Sequence, residues 1–189
     1  MTTLTDRRTV ILQATLDLIP EHGLLNTTIA LIARQAKSSP GIIYHYFESK
    51  NDIIHSLYQL ILRQYTEALL ADDPLSQEWC ERLKRIWLST FHYFVAQPKH
   101  ALFMEQYKNS AYAHYSQSIE ADENLAPLIQ AIRADIEKGL IKNLPFDVIY
   151  ALTVDVAKSL AKLQIAGIIQ LDEAMLDEIA EASCRALQV

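Results

Sequence analysis

Apolar side chains recur every three or four residues along most of this chain, which is the period of an amphipathic helix. The pattern predicts an all-α fold of about nine helices. Three short or medium helices come first, over about 6–21, 28–36 and 40–46, with Gly23 as the stop of the first. Ser49 is the expected N-cap of a fourth helix, with Asp52 in a capping-box position, and that helix fades near Asp72.

The remaining helices are expected to be mostly longer. Asp73-Pro74 is predicted to start a helix that ends before Pro98, because proline suits a first helical turn. A short helix and a loop are expected over 99–120, and a helix closed by Gly139 follows. One continuous helix is predicted from Leu144-Pro145 to Gly167, and a last one over about 172–187.

Composition and charge narrow the class of protein. The chain has 189 residues, half of them hydrophobic, and a net charge of −6. Residues 1–50 carry +1 and the remainder −7, so local cations near the N-terminus can still bind phosphates on an otherwise acidic protein. The polar start and the lack of a long apolar run lead us to expect a cytoplasmic protein without a membrane segment.

Catalytic and metal-binding patterns are lacking in the sequence. Cys80 and Cys184 form no metal spacing, the histidines show no zinc motif, and no GxSxG, P-loop or HExxH pattern occurs. We therefore expect no metal, no cofactor and no enzyme activity. An enzyme or a helical interaction module remains the alternative to a DNA-binding protein, and operator-specific binding would discriminate between them.

The segment 26–52 has the layout of a helix-turn-helix: a short helix, a tight turn and a second short helix. Ser39 can cap the second helix and Pro40 fits its first turn, while Gly41 allows a close backbone approach to DNA. Tyr44, Tyr46 and Phe47 have a second interpretation as core aromatics. The layout itself makes Ser39, Pro40, Gly41, Tyr44, His45, Tyr46 and Lys50 candidate DNA-binding residues.

Residues 7–57 resemble the DNA-binding domain of the tetracycline-repressor (TetR/AcrR) family of bacterial transcriptional regulators. The resemblance rests on Ala14, Leu16, Leu18, Glu21, Gly23, Thr27-Thr28-Ile29, Ile32-Ala33, Ser39, Gly41, Ile43, Tyr44, Tyr46-Phe47, Ser49-Lys50 and Ile53. It implies a DNA-binding domain over residues 1–50 and an effector-binding and dimerisation domain over residues 51–189. It also implies that Tyr44, Tyr46 and Lys50 contact the DNA backbone and that Ile43 and Phe47 are buried. With the resemblance, Thr27, Thr28, Lys37 and Ile42 join the candidate DNA-binding residues.

Three positions depart from the family pattern in the region that would contact DNA. Lys37 and Ser38 stand where the family usually has glycine and an apolar residue, and Lys37 either contacts a phosphate or is a solvated turn residue. Ile42 stands where threonine is frequent; it cannot hydrogen-bond to a base edge but suits a thymine methyl group.

The resemblance further implies a ligand-responsive regulator, most members being repressors, that binds double-stranded operator DNA as a homodimer. The expected effector-binding residues, which are otherwise plain core residues, are Trp87, Phe91, Phe103, Met104 and Tyr107. The last two helices carry apolar faces that pair across a two-fold axis or pack partly inward. The expected dimer residues are Ile149, Leu152, Val156, Leu160, Leu163, Met175, Ile179, Ala182 and Ala186.

Overall fold

The computed structural model describes residues 4–115, 123 and 125–189, and the regular elements in these ranges are helices. The ten α-helices are α1 (Leu4–Asn26), α2 (Ile29–Gln35), α3 (Pro40–Tyr46), α4 (Lys50–Leu70), α5 (Trp79–Ala96), α6 (Pro98–Lys108), α7 (Ala126–Glu137), α8 (Phe146–Leu152), α9 (Val154–Ile165) and α10 (Glu173–Leu187). Two 3₁₀-helices lie at Pro74–Ser76 and Ala111–Tyr115. The predicted all-α class is confirmed, and so is the count of about nine if α8 and α9 are taken as one interrupted helix. The end of the loop expected over 99–120 lies outside the described residues.

At two places the helix boundaries in the structure differ from those that the sequence pattern predicts. The helix expected from Asp73-Pro74 begins only at Trp79, because Asp73 has a left-handed φ of 46° and one 3₁₀ turn follows it. The single helix expected from Leu144-Pro145 to Gly167 is interrupted at Thr153, which leaves helical geometry (φ −126°, ψ −85°). The hydroxyl of Thr153 donates to the Ile149 carbonyl at 2.7 Å, a back-bond that is associated with bent helices.

The helices form two compact units. The first unit contains Met1–Ile61 and Lys99–Ser116, and the second contains Leu62–Pro98 and Gln117–Val189. The division therefore falls within α4, and α6 is grouped with the N-terminal helices. The functional boundary expected after residue 50 stays a prediction.

The first unit is built on one apolar core. Its central, fully buried side chains come from all of the first four helices and from α6. They include Ile11, Leu16, Ile19, Ile32, Ala33, Ile43, Phe47, Ile53, Ile54, Leu57, Phe103 and Tyr107. The two seven-residue helices α2 and α3 are thereby held by packing, which helices this short require in water.

The second unit combines an aromatic core with a buried ion pair between Arg82 and Asp135. Trp87, Phe91 and Phe94 of α5 are at most 2% exposed. On the same helix, the Arg82 guanidinium pairs with the Asp135 carboxylate of α7, and both side chains are only 10% exposed. Arg82 also donates to the Gln77 carbonyl at 2.8 Å, so both charges are compensated and the guanidinium has further hydrogen bonding.

None of the helices in the described ranges is long and apolar enough to cross a membrane. The same residues contain no group of three or more His, Cys, Asp or Glu side chains arranged to hold a metal ion.

Removing Arg82 should destabilise the second unit far more than removing the neighbouring arginine of the same helix. Arg82→Met leaves the Asp135 carboxylate buried without its cation, which should lower the free energy of unfolding by about 3–5 kcal/mol. Arg85→Met removes an exposed pair with Glu81 at 2.9 Å and an exposed hydrogen bond to the Asp72 carbonyl at 3.3 Å, so its cost should stay at about 1 kcal/mol or below.

Urea unfolding followed by tryptophan fluorescence measures both effects, since the two tryptophans of the chain, Trp79 and Trp87, belong to the second unit. Equal losses of stability in the two variants would contradict a structural role for the buried pair.

Candidate nucleic-acid interface

The two short helices α2 and α3 each begin at a capping residue, of which the sequence predicted Ser39. The Thr28 hydroxyl accepts from the Leu31 amide at 3.3 Å, and the Ser39 hydroxyl accepts from the Ile42 amide at 3.3 Å. Pro40 occupies the first turn of α3, where its missing N–H costs nothing. The caps satisfy amide groups that these short helices cannot satisfy internally.

The turn between α2 and α3 depends on a left-handed residue, Lys37, with a φ of 48°. Three backbone amides close the turn: Ala36 donates to the Ile32 carbonyl at 2.8 Å, Lys37 to the Arg34 carbonyl at 3.2 Å and Ser38 to the Ala33 carbonyl at 2.9 Å. A left-handed conformation favours glycine, which explains why the family prefers glycine at this position. Lys37 therefore accepts a strained backbone while its side chain is exposed.

The second helix, α3, has one buried and one exposed face. Ile43 is fully buried and the adjoining Phe47 is 2% exposed, as the resemblance implies. Ile42 is 44% and Tyr44 56% exposed, which is unusual for large apolar and aromatic side chains. The other exposed candidates at this surface are Thr28, Ser39, Pro40, Gly41 and His45. We call the exposed residues Thr28, Lys37, Ser39, Pro40, Gly41, Ile42, Tyr44 and His45 the α3 face.

Thr27 does not belong to the α3 face, and its predicted DNA contact is corrected. Its side chain is fully buried, and its hydroxyl donates to the Gly23 carbonyl at 2.8 Å. The hydroxyl thus satisfies a carbonyl near the end of α1 and has no access to a phosphate.

Two further candidates, Tyr46 and Lys50, are half-buried. Tyr46 packs against the core of the first unit. The Lys50 ammonium donates to the Leu25 carbonyl at 2.6 Å, and burial lowers the pKa of this lysine. Lys50 therefore ties the start of α4 to the end of α1, and it retains two further donors for a phosphate.

A network of side chains joins α1, α4 and the segment before α4, and of its members the sequence pattern indicated Ser49 and Asp52 but not Arg8 or Ser56. The Arg8 guanidinium donates to the Ser56 hydroxyl at 2.7 Å and lies 4.9 Å from the centre of the Phe47 ring. Ser56 donates to Asp52 at 3.3 Å, and the Asp52 carboxylate also accepts from the Glu48 amide at 3.0 Å. The Asp52 amide donates to Ser49 at 3.2 Å, which confirms Ser49 as the cap of α4. These bonds fix the segment between α3 and α4.

A side chain of α6 accepts a hydrogen bond from the backbone near the end of α1. Gly23 interrupts the helix with φ 73° and ψ 161°, and one more turn follows it before Asn26. The amide of Leu24, next to this break, donates to the Gln106 side-chain oxygen at 2.6 Å. Gln106 is 82 residues away in sequence, so no local pattern could have predicted this bond.

Two other contacts fasten α6 to the first unit. The Lys99 ammonium lies 2.6 Å from the Asp17 carboxylate of α1. The Tyr107 ring stacks on Tyr58 of α4 with centroids 4.4 Å apart and an angle of 11° between the planes. Helix α6 is therefore a structural component of the unit that carries the α3 face.

The five predicted effector-binding residues are distributed over both units. Trp87 and Phe91 are buried in the second unit, with parallel rings 6.1 Å apart. Phe103 and Tyr107 are buried in the first unit, and Met104 is half-buried against the same core. Among the described residues, the Trp87 indole N–H and the Tyr107 hydroxyl are buried without a hydrogen-bond partner.

The predicted dimer residues are mostly accessible, with one exception. Ile149 is 2% exposed and packs with Ile141 and Leu187 in its own unit, so its assignment to the interface is corrected. Of the others, Leu152, Leu163, Met175, Ala182 and Ala186 are exposed, and Val156, Leu160 and Ile179 are half-buried.

One cation of the second unit lies among aromatic rings. The Lys158 ammonium is 5.1 Å from the centre of the Tyr150 ring, 5.2 Å from that of Tyr65 and 5.3 Å from that of Phe94, and it donates to the Tyr150 hydroxyl. Burial raises the pKa of Tyr65, whose hydroxyl lies 2.7 Å from Thr90. The faces of aromatic rings attract a cation and so offset part of the hydration that it loses on burial. Lys158 can therefore be half-buried at this position.

Both parts of the chain match known protein families. Residues 11–57 match the model described as bacterial regulatory proteins, tetR family. Residues 79–188, more than half of the chain, match the model described as tetracyclin repressor-like, C-terminal domain.

Individual relatives agree with these matches. An HTH-type transcriptional regulator BetI from Klebsiella pneumoniae is 45% identical over 64 residues, which cover 34% of this chain and only 33% of that relative. An uncharacterized HTH-type transcriptional regulator from Haemophilus influenzae is 22% identical over 97% of both chains.

The fold also matches a solved structure. A TetR family transcription regulator from Marinobacter aquaeolei superimposes with a TM-score of 0.84 at 24% identity, covering 96% of this chain and 95% of that one. With both family models matched in order and the capped helix-turn-helix in place, the chain belongs to the TetR family of bacterial regulatory proteins.

Proposed function

We propose that this regulator is a cytoplasmic, ligand-responsive repressor that binds a near-palindromic operator as a homodimer and leaves it when a small molecule binds. The observation that carries the DNA-binding part is the α3 face, where Ile42 and Tyr44 are exposed over buried Ile43 and Phe47. A helix in this arrangement can enter the major groove with its N-terminal residues at base edges.

The residues of the α3 face divide into two roles. Gly41 and Ile42, near the start of the helix, are placed to approach bases, and an apolar Ile42 favours a thymine methyl group. Lys37, Tyr44 and His45 offer donors to phosphate oxygens, which position the protein without reading sequence.

The effector part of the proposal is supported by two buried polar atoms without partners, the Trp87 indole N–H and the Tyr107 hydroxyl. Nearly all buried polar groups in folded proteins are hydrogen-bonded, so an exception calls for a partner such as a ligand or a water molecule. Trp87, Phe91, Phe103, Met104 and Tyr107 remain the candidate effector residues.

The dimer part is supported by the exposed apolar side chains of α8, α9 and α10. Leu152, Leu163 and Met175 are each more than a third exposed, and Ala182 and Ala186 are small enough to let a second helix approach closely. Two copies would place two α3 faces on the half-sites of a palindrome.

Removing the charge of Lys37 should weaken binding to all operator variants about equally. Lys37→Asn keeps a residue that tolerates a left-handed φ, so the turn should be preserved. Fluorescence anisotropy with the DNA upstream of the gene should show a slope of log affinity against log salt that is smaller by about one unit.

Lys138→Gln, which removes an exposed lysine of the second unit, serves as the control and should leave the slope unchanged. An unaltered slope in Lys37→Asn would remove Lys37 from the phosphate contacts, and a wild-type protein that binds no upstream DNA would refute the repressor proposal.

Removing the Tyr107 hydroxyl should not destabilise the free protein, because this hydroxyl has no partner to lose among the described residues. Tyr107→Phe should leave Tm unchanged or slightly raised, whereas Tyr65→Phe breaks the 2.7 Å bond to Thr90 and should cost about 0.5–1.5 kcal/mol. Thermal unfolding followed by circular dichroism measures both.

The same variants test the ligand role of Tyr107. A compound selected in a thermal-shift screen of the wild type should stabilise Tyr107→Phe less than it stabilises Tyr65→Phe. Equal stabilisation of both variants by every selected compound would exclude Tyr107 from effector binding.

A charge in the apolar face of α10 should separate the subunits. Met175→Glu would bury an unpaired carboxylate in the proposed interface and should shift the protein to monomer. Ala174→Glu is the matched control, because Ala174 lies on the stripe of α10 that carries Glu178, Glu181 and Arg185. Sedimentation at micromolar concentration decides, and a fully dimeric Met175→Glu protein would locate the interface elsewhere.

A further inference from the structure

The two cysteines of the chain, 104 residues apart in sequence, meet in the second unit. Cys80 lies in the first turn of α5 and Cys184 in the last turn of α10. The Cys184 thiol donates to the backbone carbonyl of Cys80 at 3.2 Å. Both cysteines are reduced in the structure.

The two thiols differ in their access to solvent. Cys184 is 2% exposed, while Cys80 is half-buried. Burial, with a smaller contribution from a hydrogen bond with the Cys80 side chain, raises the pKa of the Cys184 thiol. An oxidant in solution therefore reaches Cys80 first, and Cys184 is the neighbouring thiol that an oxidised Cys80 would meet.

We propose that Cys80 and Cys184 form an oxidation-sensitive dithiol, which a peroxide converts to an intramolecular disulfide. In the first step the Cys80 sulfur attacks one peroxide oxygen, the O–O bond breaks, and a sulfenic acid and water are produced from hydrogen peroxide. In the second step the Cys184 sulfur, losing its proton, attacks the Cys80 sulfur and displaces a second water. Two thiols are thus oxidised by two electrons, and one peroxide is reduced to two waters.

The local structure favours closure of this disulfide over reaction with another chain. The end of α10 is already held in place, since the Lys142 amide donates to the Leu187 carbonyl at 2.8 Å and the Lys142 ammonium to the Ala186 carbonyl at 3.0 Å. A buried Cys184 is accessible to Cys80 of its own chain and not to a thiol in solution. The dithiol uses none of the residues of the α3 face or of the proposed effector set, so it adds a redox response to the proposed function.

Intact-mass spectrometry of the full chain after hydrogen peroxide treatment tests the proposal. The expected product is a monomeric chain lighter by about 2 Da, with no thiol available to an alkylating reagent after denaturation and full recovery with dithiothreitol. Two thiols that remain alkylatable, or a product that is exclusively a disulfide between chains, would overturn the proposal.

Two single variants test the order of the steps. Cys184→Ala should stop at the Cys80 sulfenic acid, which dimedone traps, whereas Cys80→Ser should keep Cys184 unreacted over the same period. Alanine is a small apolar substitute for the buried thiol, and circular dichroism establishes that each variant is folded. Faster oxidation of Cys184 in Cys80→Ser than of Cys80 in Cys184→Ala would reverse the assigned roles and overturn the mechanism.

Thermal unfolding supplies a readout that does not depend on chemical labelling. A cross-link between residues this far apart restricts the unfolded chain, so the oxidised protein should unfold about 5–10 °C higher, and dithiothreitol should abolish the shift. The double variant Cys80→Ser/Cys184→Ala is the control and should show no peroxide-dependent shift. An oxidised wild type with an unchanged or lower Tm would show that the disulfide does not fit the native helices.

Discussion

The surface proposed to bind DNA depends on the packing of two helices that are too short to be stable alone. Helices α2 and α3 have seven residues each, well below the length at which an isolated helix persists in water. Their caps, Thr28 and Ser39, satisfy the exposed amides, and the core of the first unit supplies the remaining stabilisation. Since Ile43 is held in that core, the helical period turns its neighbours Ile42 and Tyr44 about 100° to either side of it, where both are exposed.

The sequence predicted those parts of the molecule that depend on local patterns. The all-α class, the caps at Ser39 and Ser49 and the break at Gly23 follow from periodicity and from the preferences of single residues. The last helix, α10, also begins where the pattern placed it, and there Asp172 accepts from the Met175 amide at 2.9 Å.

The features that the sequence did not predict are those decided by distant partners. Thr27 has the residue type of a phosphate ligand, but its hydroxyl is used by the Gly23 carbonyl inside the fold. Ile149 shares the apolar period of its neighbours, but the contacts with Ile141 and Leu187 decide that it faces inward. The bond from Leu24 to Gln106 joins α1 to α6 and has no counterpart in any short window of the sequence.

The few cations of the first unit are used in different ways, which limits how strongly this protein can hold DNA through charge alone. Lys99 is paired with Asp17, Arg8 is bonded to Ser56, and Lys50 donates to a backbone carbonyl. Lys37, by contrast, projects from the turn between α2 and α3 with an exposed side chain. Because the rest of the chain has a net charge of −7, its nonspecific attraction to DNA phosphates is weak. The affinity for DNA must then come mainly from contacts that require the matching base sequence. For the proposed repressor, which would leave its operator when a ligand binds, a modest electrostatic term is an advantage, because a coupling free energy of about 1–3 kcal/mol then suffices to change occupancy.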